Sequence, residues 1–262
     1  MTALSGRVAL VTGASAGAGV EIAGELAREG ARVAVHYRAA RADAERVVEE
    51  ILATGGEAAA FAADLSRSED VRRLVAAVRD RFGPPHILVN NAGPFDDRPL
   101  RELDEAGWDY VMATNLKAPW LAARLVAADM TRLGWGRIVN IGATSGFVRT
   151  HSVYGLAKAA LLHLTESLAL ELAPAVTVNA VVPGQIASAR TDAMPDYKAA
   201  AIAGTPLGRL VTAPEIAAMV RLVCSPAFDF VTGRAIVLDG GRALRTFPRI
   251  DWARRSAGPS PA

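Results

Sequence analysis

Cysteine is nearly missing: the 262-residue chain has 1. A lone cysteine excludes an intramolecular disulfide and a cysteine-rich zinc site. Excess charge of one sign is missing too, because 29 Lys and Arg against 27 Asp and Glu leave a formal net charge of +2. So mild a balance gives no electrostatic footprint for nucleic acid. Long apolar runs are absent. Each is broken by Glu, Arg or His well before about 18 residues, so no membrane span is expected. The N-terminus holds no apolar core of signal-peptide length, and a cytoplasmic protein is expected. His36, His86, His151 and His163 share no metal-ligand spacing, so no metal is expected.

What is present is a globular composition, 51% hydrophobic and 21% charged, which excludes wholesale disorder. Short, almost continuously apolar runs occur at 8–12, 32–36, 58–62, 87–90, 137–141, 177–181 and 235–238. Unbroken apolar runs suit strands covered on both faces. Ala/Leu/Glu/Arg-rich segments between them predict helices near 17–29, 41–53, 69–82, 105–132, 153–172 and 214–223. Ser68 and Asp104 are candidate N-caps. The alternation predicts a single-domain, doubly wound α/β Rossmann fold over 1–243, with about seven parallel strands. The stretch 185–209 breaks the rhythm and reads as a functional loop. Residues 244–262 read as an irregular tail.

The first strand runs into Thr12-Gly13-Ala14-Ser15-Ala16-Gly17-Ala18-Gly19 and then a helix. Glycines allow a sharp turn and close approach of a phosphate to the backbone. The helix N-terminus adds free N–H groups and partial positive charge. The second strand ends in His36-Tyr37-Arg38, where NAD-binding folds usually place an acid. A carboxylate would repel a 2′-phosphate, whereas Arg38 attracts it. NADP(H) is therefore favoured over NAD(H), with Tyr37 and Arg38 at that end of the site. Tyr154 and Lys158 stand four apart at the start of a helix, hence on one face. A cation near a phenol stabilises the phenolate and lowers its pKa, giving a general acid for a carbonyl oxygen.

With Asp64-Leu65, Asn90-Asn91-Ala92-Gly93, Asn115, 138–141, 179–184, 231–233 and 239–241, these motifs make the chain resemble the short-chain dehydrogenase/reductase family from about residue 5 to 241. Among its subgroups it looks most like bacterial 3-oxoacyl-carrier-protein reductases and related carbonyl reductases. The resemblance implies a small carbonyl or alcohol substrate, a homo-oligomer (tetramer or dimer) and specific residue roles. Gly13, Ser15, Gly17 and Gly19 would cradle the cofactor phosphates. Asp64 and Leu65 would meet the adenine. Asn91, Ala92 and Gly93 would line the adenine ribose and central sheet. Tyr154 would be the acid/base, and Lys158 would bind the nicotinamide ribose. Asn115 would anchor a water in a relay to Lys158. Pro183, Gly184 and Ile186 would border the nicotinamide.

The chain departs from that pattern at Ala143, which occupies the place of the usual catalytic serine. Three explanations stay open. Ser145 or Thr144 fills the place, Ser145 by sharing strand parity with Ala143 if the strand continues. Substrate or water supplies the donor. Or activity is lost, leaving a non-catalytic cofactor-binding homologue. An NAD-dependent alcohol dehydrogenase is a further alternative. Ala16, where NADP-dependent members often carry Arg or Lys, leaves Arg38 to recognise the 2′-phosphate.

Overall fold

The computed structural model describes residues 3–148 and 150–244. Seven strands form one parallel sheet: β1 Val8–Val11, β2 Arg32–Tyr37, β3 Glu57–Ala62, β4 Ile87–Asn90, β5 Gly136–Ile141, β6 Val176–Pro183 and β7 Ala235–Leu238. Their order is β3-β2-β1-β4-β5-β6-β7. The order reverses between β1 and β4, and open α/β sheets bind ligands at such a switch point.

Helices cover both faces. They are α1 Ala18–Arg28, α2 Arg41–Ala53, α3 Ser68–Phe82, α4 Glu105–Met112, α5 Ala118–Arg132, α6 Val153–Leu172, α7 Ala189–Asp192, α8 Pro195–Ala203 and α9 Ala213–Cys224. The strand runs are unbroken because alternate residues feed two cores. Ala9 and Val11 pack with Ile22, Val47 and Ile216, whereas Val8 and Leu10 pack with Leu74, Leu121 and Val126. Each fully buried Val, Leu or Ile among them contributes roughly 1.5–3 kcal/mol.

Three local expectations are corrected. The segment 105–132 is two helices, α4 and α5, joined by a π-helical turn at Ala113–Lys117. Pro119 has no N–H for the Asn115 carbonyl, and the Ala118 amide bonds Ala113 O five residues back. Ser68 does not cap α3: the N-cap is Arg67, with no side-chain bond. Asp104 does cap α4, accepting from the Gly107 amide at 3.1 Å. The stretch 185–209 is not plain loop. Ser188 and Thr191 close a capping box on α7, and Ile186 bridges to Val211. Thr in place of the usual Glu or Gln hid that box. Of the tail, only Leu244 falls among the described residues; 245–262 lie outside them.

Candidate active site and nucleotide cleft

The turn after β1 is held by Asn91 and Thr12. Asn91 Nδ2 donates to Thr12 O at 2.9 Å and Gly13 O at 3.0 Å. Thr12 Oγ1 accepts from the amides of Asn91 and Ala92. Gly13 and Gly17 have φ of +63° and +57°. A Cβ on Gly13 would lie 2.9 Å from Ala92 Cα, and one on Gly19 would lie 2.2 Å from Gly13 O. The turn therefore needs glycine for conformation and for close approach alike. Asn91 acts here as a clamp on the turn.

A cleft of about 500 Å³ opens above it, lined among others by Gly13, Ser15, Arg38, Asp64, Leu65 and Gly93. Arg38 is exposed at its rim and donates to the Tyr110 hydroxyl, with its guanidinium 5.6 Å from that ring. Asp64 accepts from the Ser66 hydroxyl at 2.7 Å, and this bond holds its carboxyl below the usual range. Gly17 is exposed beside the cleft at the start of α1. Tyr37 is half-buried against one core, and the lining residues do not include it.

His36 was passed over in the sequence and belongs to this turn. Its Nδ1 accepts from the Gly13 amide at 3.0 Å, and its Nε2 lies 3.1 Å from Ala63 O. Those partners require Nδ1 bare and Nε2 protonated. Burial pushes its pKa down to about 4. The signal was its place at the end of β2, directly beside the glycine turn.

Ser152 caps α6, accepting from the Gly155 amide at 3.3 Å. Tyr154 and Lys158 then stand one turn apart, with Lys158 Nζ 5.5 Å from the tyrosine ring centroid. Lys158 is buried and donates to Ile141 O at 2.8 Å. Burial lowers its pKa to about 8. The phenol differs from expectation. Burial raises Tyr154 to about 12, and Arg190 is the cation that opposes the rise.

Asn115 Nδ2 donates to Val111 O and Pro94 O, each at 3.1 Å. Its Oδ1 is buried without a partner. A Cβ on Gly93 would lie 2.2 Å from that oxygen and 3.5 Å from Lys158 Nζ. Gly93 thus lets the amide and the ammonium converge on one point.

Ala143 is extended, but 144–146 form a 3₁₀ turn whose Gly146 amide bonds Ala143 O. The strand does not continue, so the parity argument for Ser145 fails. Ser145 nonetheless lies beside the first turn of α6: its carbonyl oxygen is 3.5 Å from where a Gly155 Cβ would be. The Ser145 hydroxyl is buried without a partner.

Pro183 ends β6 in the interior. The Gly184 amide bonds Leu238 O, and a Cβ there would lie 2.9 Å from Asp239 Cα. Ile186 leads into α7. Among the described residues no His/Cys/Asp/Glu group could hold a metal, and no helix is long and apolar enough to cross a membrane.

A family model described as Enoyl-(Acyl carrier protein) reductase matches residues 13–243. The 3-oxoacyl-acyl-carrier-protein reductase FabG of Pseudomonas aeruginosa is 39% identical over 242 residues, covering 91% of this chain and 98% of the relative. The Synechocystis 3-oxoacyl-acyl-carrier-protein reductase is 38% identical over 249 residues, covering 93% and 100%. Among solved structures, a Burkholderia cenocepacia gluconate 5-dehydrogenase in complex with NADP and tartrate superposes with TM-score 0.86 at 28% identity, covering 93% of this chain and 97% of that one. A metagenomic blue fluorescent protein in complex with NADPH gives TM-score 0.86 at 34% identity, covering 92% and 100%. The chain belongs to the short-chain dehydrogenase/reductase family, a family of oxidoreductases.

Proposed function

We propose that the protein is an NADP(H)-dependent reductase that converts a ketone or aldehyde to an alcohol. The observation that carries this reading is the Tyr154–Lys158 pair, one helical turn apart beside Gly93 and the cleft. The residues fit the cofactor: Gly13 and Ser15 line the cleft, a Cβ on the exposed Gly17 at the start of α1 would meet nothing within 4 Å, and Arg38 offers a cation at the cleft's rim. When bound, NADPH supplies hydride to the carbonyl carbon.

The chain's own residues handle the proton. Tyr154 Oη–H donates to the carbonyl oxygen. With a pKa near 12, the phenol stays protonated at neutral pH, which suits the reducing direction. Lys158 Nζ is charged below about pH 8 and stabilises the phenolate left behind. The Asn115 Oδ1 acceptor suits a water that returns the proton through Lys158. Ser145 Oγ–H is the second donor to the carbonyl in place of Ala143, supported by its unpartnered hydroxyl. A homo-oligomer is part of the reading, supported by exposed Trp120 on α5 and Leu170 on α6.

The test is NADPH consumption over a panel of ketones and aldehydes, with NADH in parallel. Turnover preferring NADPH supports the reading. Absence of turnover in a folded protein that binds NADPH favours the second reading, a cofactor-binding homologue, for which Ala143 is the supporting feature.

A further inference from the structure

We propose that Arg190 anchors the substrate and makes this site select carbonyl compounds that carry a carboxylate. The proposal rests on the reductase reading above and adds the substrate class. Arg190 comes from α7 and Phe95 from the stretch after β4. The Arg190 guanidinium lies 4.0 Å from the Phe95 ring centroid. Phe95 in turn meets Tyr154 in an edge-to-face contact, ring centroids 5.0 Å apart at 62°. Cation, ring and phenol thus form one stack. A substrate held against Phe95 and Tyr154 would have the guanidinium beside it.

Several charged side chains of the segments that carry Phe95 and Arg190, and of the stretch that follows, are paired. Asp96 pairs with Arg98, Asp192 with Lys198, and Arg209 with Glu215. Arg190 has no carboxylate partner and donates no hydrogen bond among the described residues. Stacking uses the face of the guanidinium and leaves its N–H fork free in the plane. That fork matches a carboxylate bidentately. The capping box of Ser188 and Thr191 brackets Arg190 and fixes its backbone. The proximity is also felt at the reacting group, because the Arg190 charge opposes the rise in the Tyr154 pKa.

The test compares acids with their neutral counterparts: acetoacetate and levulinate, each against its methyl ester, and the N-acetylcysteamine thioester of acetoacetate. kcat/KM with NADPH is measured for wild type, Arg190→Gln and Arg190→Lys. The expected result is a preference for the acids of about tenfold or more in wild type. Arg190→Gln is expected to remove that preference by lowering kcat/KM for the acids about tenfold or more beyond any change in the esters, and Arg190→Lys to restore part of it. An equal loss on acids and esters in Arg190→Gln, or a wild-type preference for the esters or the thioester, overturns the proposal. If nothing turns over, the same acids are titrated by calorimetry into the NADP⁺-loaded protein. Binding lost in Arg190→Gln upholds the anchor and places the failure in the reductase reading. No binding to wild type overturns the anchor.

Discussion

The Gly13 amide donates to His36 Nδ1 at 3.0 Å, so the first glycine of the turn is held by the end of the neighbouring strand. The acceptor exists only while His36 is neutral. Leucine at 36 leaves a buried N–H unpaired, which costs about 1–3 kcal/mol. His36→Leu is expected to weaken NADPH binding about tenfold or more in a fluorescence titration. His36→Asn, whose Oδ1 can accept, restores most of it. Unchanged affinity in His36→Leu would remove His36 from the turn's support.

His36 also ties stability to pH. Its pKa is about 4 when folded against 6.5 when free. A histidine depressed on folding stabilises fully above the unfolded value, and that contribution is lost as pH falls from 6.5 toward 4. The total is about 3 kcal/mol. Thermal unfolding of wild type should show Tm dropping over that window, and His36→Asn should drop less.

The catalytic rate carries a second titration. Lys158 is lowered to about 8 by burial, so its charge is present below that pH and lost above it. The reduction rate at saturating substrate should fall as pH rises through about 8. Lys158→Arg keeps the charge and should shift that limb upward in whatever activity remains. A flat profile from pH 7 to 10 would contradict the role of the ammonium.

Gly93 faces both Asn115 and Lys158. A methyl at 93 would meet Asn115 Oδ1 at 2.2 Å. Gly93→Ala should cut kcat about 100-fold or more, the scale of a group displaced by about an ångström. Steady-state kinetics with a circular-dichroism check of folding decides it.

Ser145 and Thr144 are separated by single substitutions. Ser145→Ala should lower kcat about 10²–10³-fold if its hydroxyl bonds the carbonyl oxygen in the transition state. Thr144→Ala should change it little. A full rate in Ser145→Ala would leave the second donor to substrate or water.

The central strands were legible because both faces of the sheet are covered there, as at 8–11, which is apolar and buried at every residue; the edge strand 235–238 was legible from its apolar run although Ala235 and Val237 are exposed. The glycine turn was legible because only glycine fits positions 13 and 19. The π-turn at 113–117 was hidden, since helical periodicity barely changes across one extra residue. The Ser145 placement rested on strand parity, which a 3₁₀ turn cancels. The Phe95–Arg190 stack joins residues 95 apart in sequence, and no local pattern announces it. The Tyr154 pKa depends on burial, which spacing alone does not reveal.

The central claim is that the Tyr154 hydroxyl delivers the proton. Tyr154→Phe removes one oxygen and keeps the ring against Phe95. NADPH oxidation with a carbonyl that wild type reduces should fall about 10³-fold or more, within the range for a lost general acid, while NADPH affinity stays within about threefold. Turnover in Tyr154→Phe within about tenfold of wild type would contradict the account.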